Sequence, residues 1–178
     1  MRREAPAQAA PRKLAAIDWE RWSPRDRCTL LFVVRDGQIL LIRKKRGLGT
    51  GKVNGPGGRL EPGESPAQGA ARELQEELGV SPLGTAQYGE LSFQFVDGYS
   101  THVVVFRADG FTGELRETEE AVPLLTPLHA IPYSEMWEDD RIWLPALLKR
   151  QCFRGRFLFE GDVLLDGAFW LLDAPPSS

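Results

Sequence analysis

GRLEPGESPAQGAARELQEELGV, residues 58–80, reads as one short amphipathic helix entered from a glycine-rich loop. Pro66 suits a first helical turn, Ala67, Ala70, Ala71, Leu74 and Leu78 recur at helical spacing, and Gly79 followed by Pro82 is a stop signal. At about 100° per residue, Glu73, Glu76 and Glu77 fall on one arc beside the apolar stripe. Like charges at i,i+3 and i,i+4 each cost a few tenths of a kcal/mol, and acids in the last turn face the negative end of the helix dipole. Two local rules fail together, which is how a functional site looks in a sequence. A hard cation resolves the conflict: Mg²⁺ or Mn²⁺ takes carboxylate and carbonyl oxygens and bridges to substrate phosphates. Arg72 is spaced to pair with Glu76 or to reach back to Glu64, holding the acids in place.

Taken alone, three glutamates on a helix are a solvated acidic face. The pattern here is longer. G-x5-E-x7-R-E-U-x-E-E-x-G-U, with U aliphatic, is matched at all nine fixed positions by Gly58, Glu64, Arg72, Glu73, Leu74, Glu76, Glu77, Gly79 and Val80. The segment resembles the box of the Nudix hydrolases, MutT-like enzymes that cleave a nucleoside diphosphate linked to another group. The resemblance implies an α/β Nudix fold, a mixed β-sheet sandwiched between helices.

With 178 residues the chain fits one domain with a sizeable core. Its 22 Lys plus Arg against 25 Asp plus Glu give a net charge of −3, which disfavours an extended nucleic-acid partner. Cys28 and Cys152 match no metal or redox spacing and read as free thiols of a reducing compartment, so the cytoplasm is expected. No apolar run approaches a membrane span, and a monomer acting on a small nucleotide is expected.

Residues 1–26 differ from the rest. MRREAPAQAAPRK has little to bury and reads as a mobile tail ahead of a domain over 27–178. Arg2 and Arg3 lack the apolar run of a secretory signal, and the segment is too poor in serine for a transit peptide. Leu14, Ile17, Trp19 and Trp22 form a short amphipathic piece suited to lying on the domain, ended by Ser23-Pro24.

From Cys28, CTLLFVVR and QILLIRK flank Asp36-Gly37, a hairpin signal. KKRGLGTGKVNGPGG follows as a flexible connection that brings backbone close to a ligand. Gly89–Val96 and Ser100–Arg107 read as a second hairpin around Asp97-Gly98, with Phe93 and Phe95 on one face. Asp109–Pro132 reads as irregular. Trp137–Lys149 reads as a helix that Pro145 kinks or delays, and short strands around Phe157 and Phe169 close the chain.

Beyond the box, KKRGLGTGKVNGPGG, ELSFQF, MWEDDRIWLPALL and FRGRFLFEG resemble one branch, the animal 8-oxo-dGTP diphosphatases that sanitise oxidised purine nucleotides in DNA repair. That likeness runs from Cys28 to about Asp166. It implies hydrolysis of 8-oxo-dGTP and 2-hydroxy-dATP type triphosphates to monophosphate and pyrophosphate, and a base pocket of Thr29, Lys44, Asn54, Phe93, Trp137, Asp139 and Asp140. The chemistry of these residues agrees: Trp137 offers a stacking face, Asn54 both donors and an acceptor, and two adjacent aspartates facing one buried ligand share a proton. Oxidation at purine C8 turns N7 from acceptor to donor, which a pair able to switch protonation can read. Without the resemblance, Trp137 reads as a core aromatic and Asp139-Asp140 as a helix N-cap. Leu48, Val53 and Pro56 stand where the branch has phenylalanine, tryptophan and phenylalanine, departures that bear on the size and rim of the expected pocket and on its preference for oxidised over normal purines.

For the metal, the resemblance implies Glu73, Glu76, Glu77, the Gly57 carbonyl and a remote acid at Glu120, with Arg72 completing the catalytic group. Two other readings use the same box: hydrolysis of dinucleoside polyphosphates or RNA 5′ ends, and a non-catalytic nucleotide-binding module, which usually loses box acids that are all present here.

Overall fold

The computed structural model describes residues 10–176. Of the expected tail, residues 1–9 therefore lie outside the described residues.

The first hairpin joins β1 (Asp26–Arg35) to β2 (Gln38–Lys44) with Arg35 opposite Gln38, and both turn residues, Asp36 and Gly37, are left-handed at φ 52° and 73°. Such a turn matches the strand twist. Two short strands follow, β3 (Val53–Asn54) and β4 (Gly57–Arg59), then α1 (Pro66–Leu78). Ser65 starts α1 with a capping box: its hydroxyl accepts from the Gln68 N–H while the Gln68 side chain accepts from the Ser65 N–H. Gly79, at φ 76°, ends it. β5 (Val80–Leu83), β6 (Ala86–Phe95), β7 (Ser100–Ala108), β8 (Gly110–Gly113) and β9 (Ala121–Pro127) come next. The chain closes with α2 (Asp140–Leu148), β10 (Cys152–Glu160) and β11 (Val163–Leu172).

Among the described residues, nine strands form one mixed sheet in the order β11-β10-β6-β7-β1-β2-β3, with β4 on β1 and β9 on β2. β1 runs parallel to β7, and β10 parallel to β6. β5 and β8 form a separate pair.

The alternation of β1 builds the layers. Leu31 and Val33 pack with Ala70, Leu74 and Leu78 of α1, whereas Phe32 and Val34 join Trp143, Leu144 and Leu147 of α2. Arg107 of β7 fastens the second layer, donating to the Leu147 and Leu148 carbonyls at 3.2 and 2.8 Å at the open end of α2.

The expected α/β sandwich is thus present. Three local readings differ. The stretch expected to be irregular contains β8 and β9, the latter disguised by Pro123 and Pro127, which an edge strand tolerates. The second helix starts at Asp140 and accommodates Pro145 in only nine residues, and the closing strands are nine and ten residues long.

Candidate active site

β4 lies between α1 and the rest of the site, so its glycines set how closely the acids approach. A Cβ on Gly58 would sit 2.3 Å from Glu73 Oε1, and one on Gly57 would sit 2.0 Å from the Thr29 carbonyl oxygen. Glycine at 58 lets Glu73 of α1 press against this strand, and glycine at 57 lets the strand pass this close to the backbone of β1. Glu77 Oε2 accepts from the Gly57 N–H at 2.9 Å and is 3% exposed. Burial pushes its carboxyl up to about 8 against the pull of that N–H, and Glu73, Lys44 and Glu120 also act on it, the two acids raising it and the lysine lowering it.

Arg72 is the local organiser. It donates to Glu64 at 2.8 and 2.9 Å, to Glu73 and Glu76 at 3.0 Å each, and to the Arg59 carbonyl at 3.0 Å. Its hydrogen bonds hold the Glu64 carboxyl down at about 2. Burial, only partly offset by Arg72, raises Glu73. Glu76 is half exposed, and Glu120, across the cleft on the approach to β9, is paired with Arg46.

Among the described residues no three acidic, imidazole or thiol groups converge closely enough to hold an ion by themselves. As arranged, Arg72 gathers Glu73 and Glu76, while Glu77 turns to Gly57. The chemistry of the donor set nevertheless fits a hard divalent cation. A buried carboxylate whose charge is opposed by burial and by two other acids is stabilised by nearby positive charge, and the donors are oxygens.

On the far side of Gly57 and Gly58 opens a cavity of about 250 Å³. All seven residues expected in the base pocket line it: Thr29, Lys44, Asn54, Phe93, Trp137, Asp139 and Asp140. Gly57 and Gly58 line it too, the first hydrogen-bonded to Glu77 and the second against Glu73, so acids and cavity meet at these two glycines.

The cavity walls are apolar and aromatic. Phe93 stacks on Phe157 at 5.7 Å, and Phe95 and Phe159 meet the Trp137 ring edge-on at 82° and 85°. Its polar atoms are few, and three of them are buried without a partner among the described residues. Asp139 and Asp140 are 1% and 2% exposed, and Asp139 Oδ1, Asp140 Oδ2 and Thr29 Oγ1 have no hydrogen-bond partner among the described residues. Asp139 occupies the N-cap position of α2 yet caps nothing with its side chain. Its Oδ2 instead accepts from Trp143 Nε1 at 2.8 Å. Burial pushes Asp139 up to about 6, and burial together with the Asp139 charge pushes Asp140 well above its ordinary range. Asn54 Oδ1 accepts from the Gly55 N–H at 2.8 Å.

Several cavity residues escaped sequence reasoning. Phe159 and Trp143 carried a signal, two residues from Phe157 on one strand and four from Asp139 on one helix. Tyr99, Thr101, Cys28 and Arg59 carried none.

Comparison with known proteins follows the same lines. A family model described as NUDIX domain matches residues 24–147. The chain is 41% identical over 140 residues to the oxidized purine nucleoside triphosphate hydrolase of Danio rerio, covering 78% of this chain and 90% of the relative. The Mus musculus protein of the same name is 41% identical over 77% of this chain and 89% of its own. Among solved structures, a mutator MutT protein from Bacillus halodurans superposes with a TM-score of 0.72 at 26% identity, covering 81% of this chain and 97% of that one.

Proposed function

Because this chain belongs to the NUDIX family and is a Nudix hydrolase, we propose that it hydrolyses oxidised purine nucleoside triphosphates, of the 8-oxo-dGTP and 2-hydroxy-dATP type, to the nucleoside monophosphate and pyrophosphate. The observation that carries this reading is the group of three unpartnered, buried polar atoms of Thr29, Asp139 and Asp140 around an aromatic cavity that touches the acids through Gly57.

Nudix enzymes use a divalent metal, and here the ion is Mg²⁺, replaceable by Mn²⁺. Glu73, Glu76, Glu77, Glu120 and the Gly57 carbonyl would hold it. When bound, such an ion neutralises phosphate charge and acidifies water.

The chain's own groups divide the remaining work. Arg72 keeps Glu64, Glu73 and Glu76 in one place, and the Gly57 N–H fixes the Glu77 carboxyl. Lys44 lines the cavity and its charge is felt at Glu77, so it stands where base and phosphates meet and supplies a point charge to the phosphates. The purine stacks on Trp137 with Phe93 beside it. Asp139 and Asp140 hold one proton between them: the ionised partner accepts from the N7–H of an 8-oxopurine, and the protonated one donates to an acceptor on the same base. Asn54 and Thr29 complete the polar edge. An unoxidised guanine offers an acceptor at N7 and leaves a buried carboxylate unpaired, a loss of about 1–3 kcal/mol.

Purified protein with Mg²⁺, tested on 8-oxo-dGTP, dGTP, a diadenosine polyphosphate and triphosphorylated RNA, separates this reading from the other Nudix chemistries. Preferential turnover of 8-oxo-dGTP is expected, and preference for either of the last two would overturn it.

A further inference from the structure

Residues 10–25 lie on the face of the sheet opposite the cavity. Along β6, Phe93 and Phe95 line the cavity while Gln94 between them points the other way, and its Oε1 accepts from Trp22 Nε1 at 2.9 Å. Gln94 also donates through Nε2 to the Phe95 and Tyr99 carbonyls at 3.0 and 3.2 Å, and Phe95 and Tyr99 both line the cavity. At the neighbouring strands, Arg12 donates to both oxygens of Glu160 at 2.7 and 2.9 Å, and the Leu14 N–H donates to Asp166 at 2.8 Å. Trp19 covers the Arg156 guanidinium at 4.6 Å. Leu158 is fully buried between Gln94 and Asp166, its two register partners, and the segment is tied to both.

These contacts reach the base site by two short routes. One runs from Trp22 through Gln94 to the backbone of Phe95 and Tyr99. The other runs from Arg12 to the turn after β10, where Glu160 follows Phe159 of the cavity wall and Asp162 pairs with Lys52 at 3.1 Å. Lys52 Nζ in turn stands 5.0 Å from the Trp137 ring centre.

We propose that residues 10–25 are a positioning strap for the base cavity, with Trp22 and Arg12 its two anchors, setting how tightly the purine is held without entering the hydrolytic step. This rests on the reading that a purine occupies the Trp137 cavity. α1 covers the β1 and β2 end of this sheet face and the strap covers the β6 and β10 end. Loosening the strap therefore frees the strands behind the aromatic wall and leaves the acids untouched.

The test uses the full chain with Trp22→Phe, which keeps an aromatic beside Trp19 and removes only the donor to Gln94, Arg12→Ala, and the double variant. Arg21→Ala, on the same segment but paired among the described residues only with Asp18 at the surface, is the control. Three constants are read alongside the melting curve: kcat and KM for 8-oxo-dGTP with Mg²⁺, and the Kd of 8-oxo-dGMP by calorimetry without divalent metal. Loss of one hydrogen bond's positioning predicts a rise of about fivefold in KM and Kd for Trp22→Phe, more for the double variant, with kcat and the control unchanged. A double variant that melts earlier but keeps both constants overturns the strap while leaving the substrate reading intact. An unaltered protein that neither turns over 8-oxo-dGTP nor binds 8-oxo-dGMP overturns the substrate reading and the strap with it.

Discussion

Trp143 Nε1 donates to Asp139 Oδ2 across 2.8 Å, so the carboxylate at the head of α2 faces into the protein rather than capping its own helix. The bond fixes one oxygen of Asp139 and leaves the other without a protein partner among the described residues. Removing the donor by Trp143→Phe keeps a ring stacked on Phe153 but orphans both oxygens. We expect a loss of about 1–3 kcal/mol in denaturant unfolding. The indole N–H holds the Asp139 carboxyl down, so its removal also shifts the pH dependence of 8-oxo-dGTP binding upward.

Burial raises both aspartates. The folded protein binds protons on this pair that the unfolded chain has already released, so stability is fully present below the ordinary aspartate range near pH 4; the Asp139 share is lost as pH rises through about 6, and Asp140, also raised, adds to the loss in the same direction. Unfolding of the nucleotide-free protein between pH 4 and 7 is expected to show a decline that is shallower in Asp139→Asn/Asp140→Asn. An identical slope in that variant would count against the raised values.

Glu77→Gln keeps an oxygen to accept from the Gly57 N–H and replaces a buried carboxyl whose ionisation burial already opposes. The variant is expected to fold at least as well as the parent without metal, to bind 8-oxo-dGMP unchanged, and to lose on the order of 10²–10³-fold in kcat. Melting curves and steady-state kinetics check the two halves separately.

Gly58→Ala places a methyl group on the Glu73 carboxylate. Because that carboxylate is also held by Arg72, it cannot simply swing away. Hydrolysis is expected to fall at least tenfold, with the Kd of 8-oxo-dGMP moving far less.

Much of this was legible in the residues. The glutamates of α1 broke two helix rules at once, and Gly57 and Gly58 marked where backbone had to pass close to something. The hairpin turns at Asp36-Gly37 and Asp97-Gly98 were local signals in the same sense. What stayed hidden depended on long-range pairing. β9 looks like a loop because of its prolines and is a strand only through pairing with β2. Trp22 and Arg12 sat in a segment of tail-like composition, and their partners Gln94 and Glu160 are more than seventy residues away. Asp139 read locally as a cap because nothing in its neighbourhood says that Trp143 outcompetes the helix backbone for it.

The central claim is that the acids beside Gly57 cut the phosphate chain while Trp137, Asp139 and Asp140 select an oxidised purine. The ratio of kcat/KM for 8-oxo-dGTP to that for dGTP, measured with Mg²⁺ on the unaltered protein, tests it most directly. A ratio on the order of ten or more is expected, from the buried carboxylate that an unoxidised base leaves unpaired. A ratio of one, or no turnover of 8-oxo-dGTP at all, would contradict it.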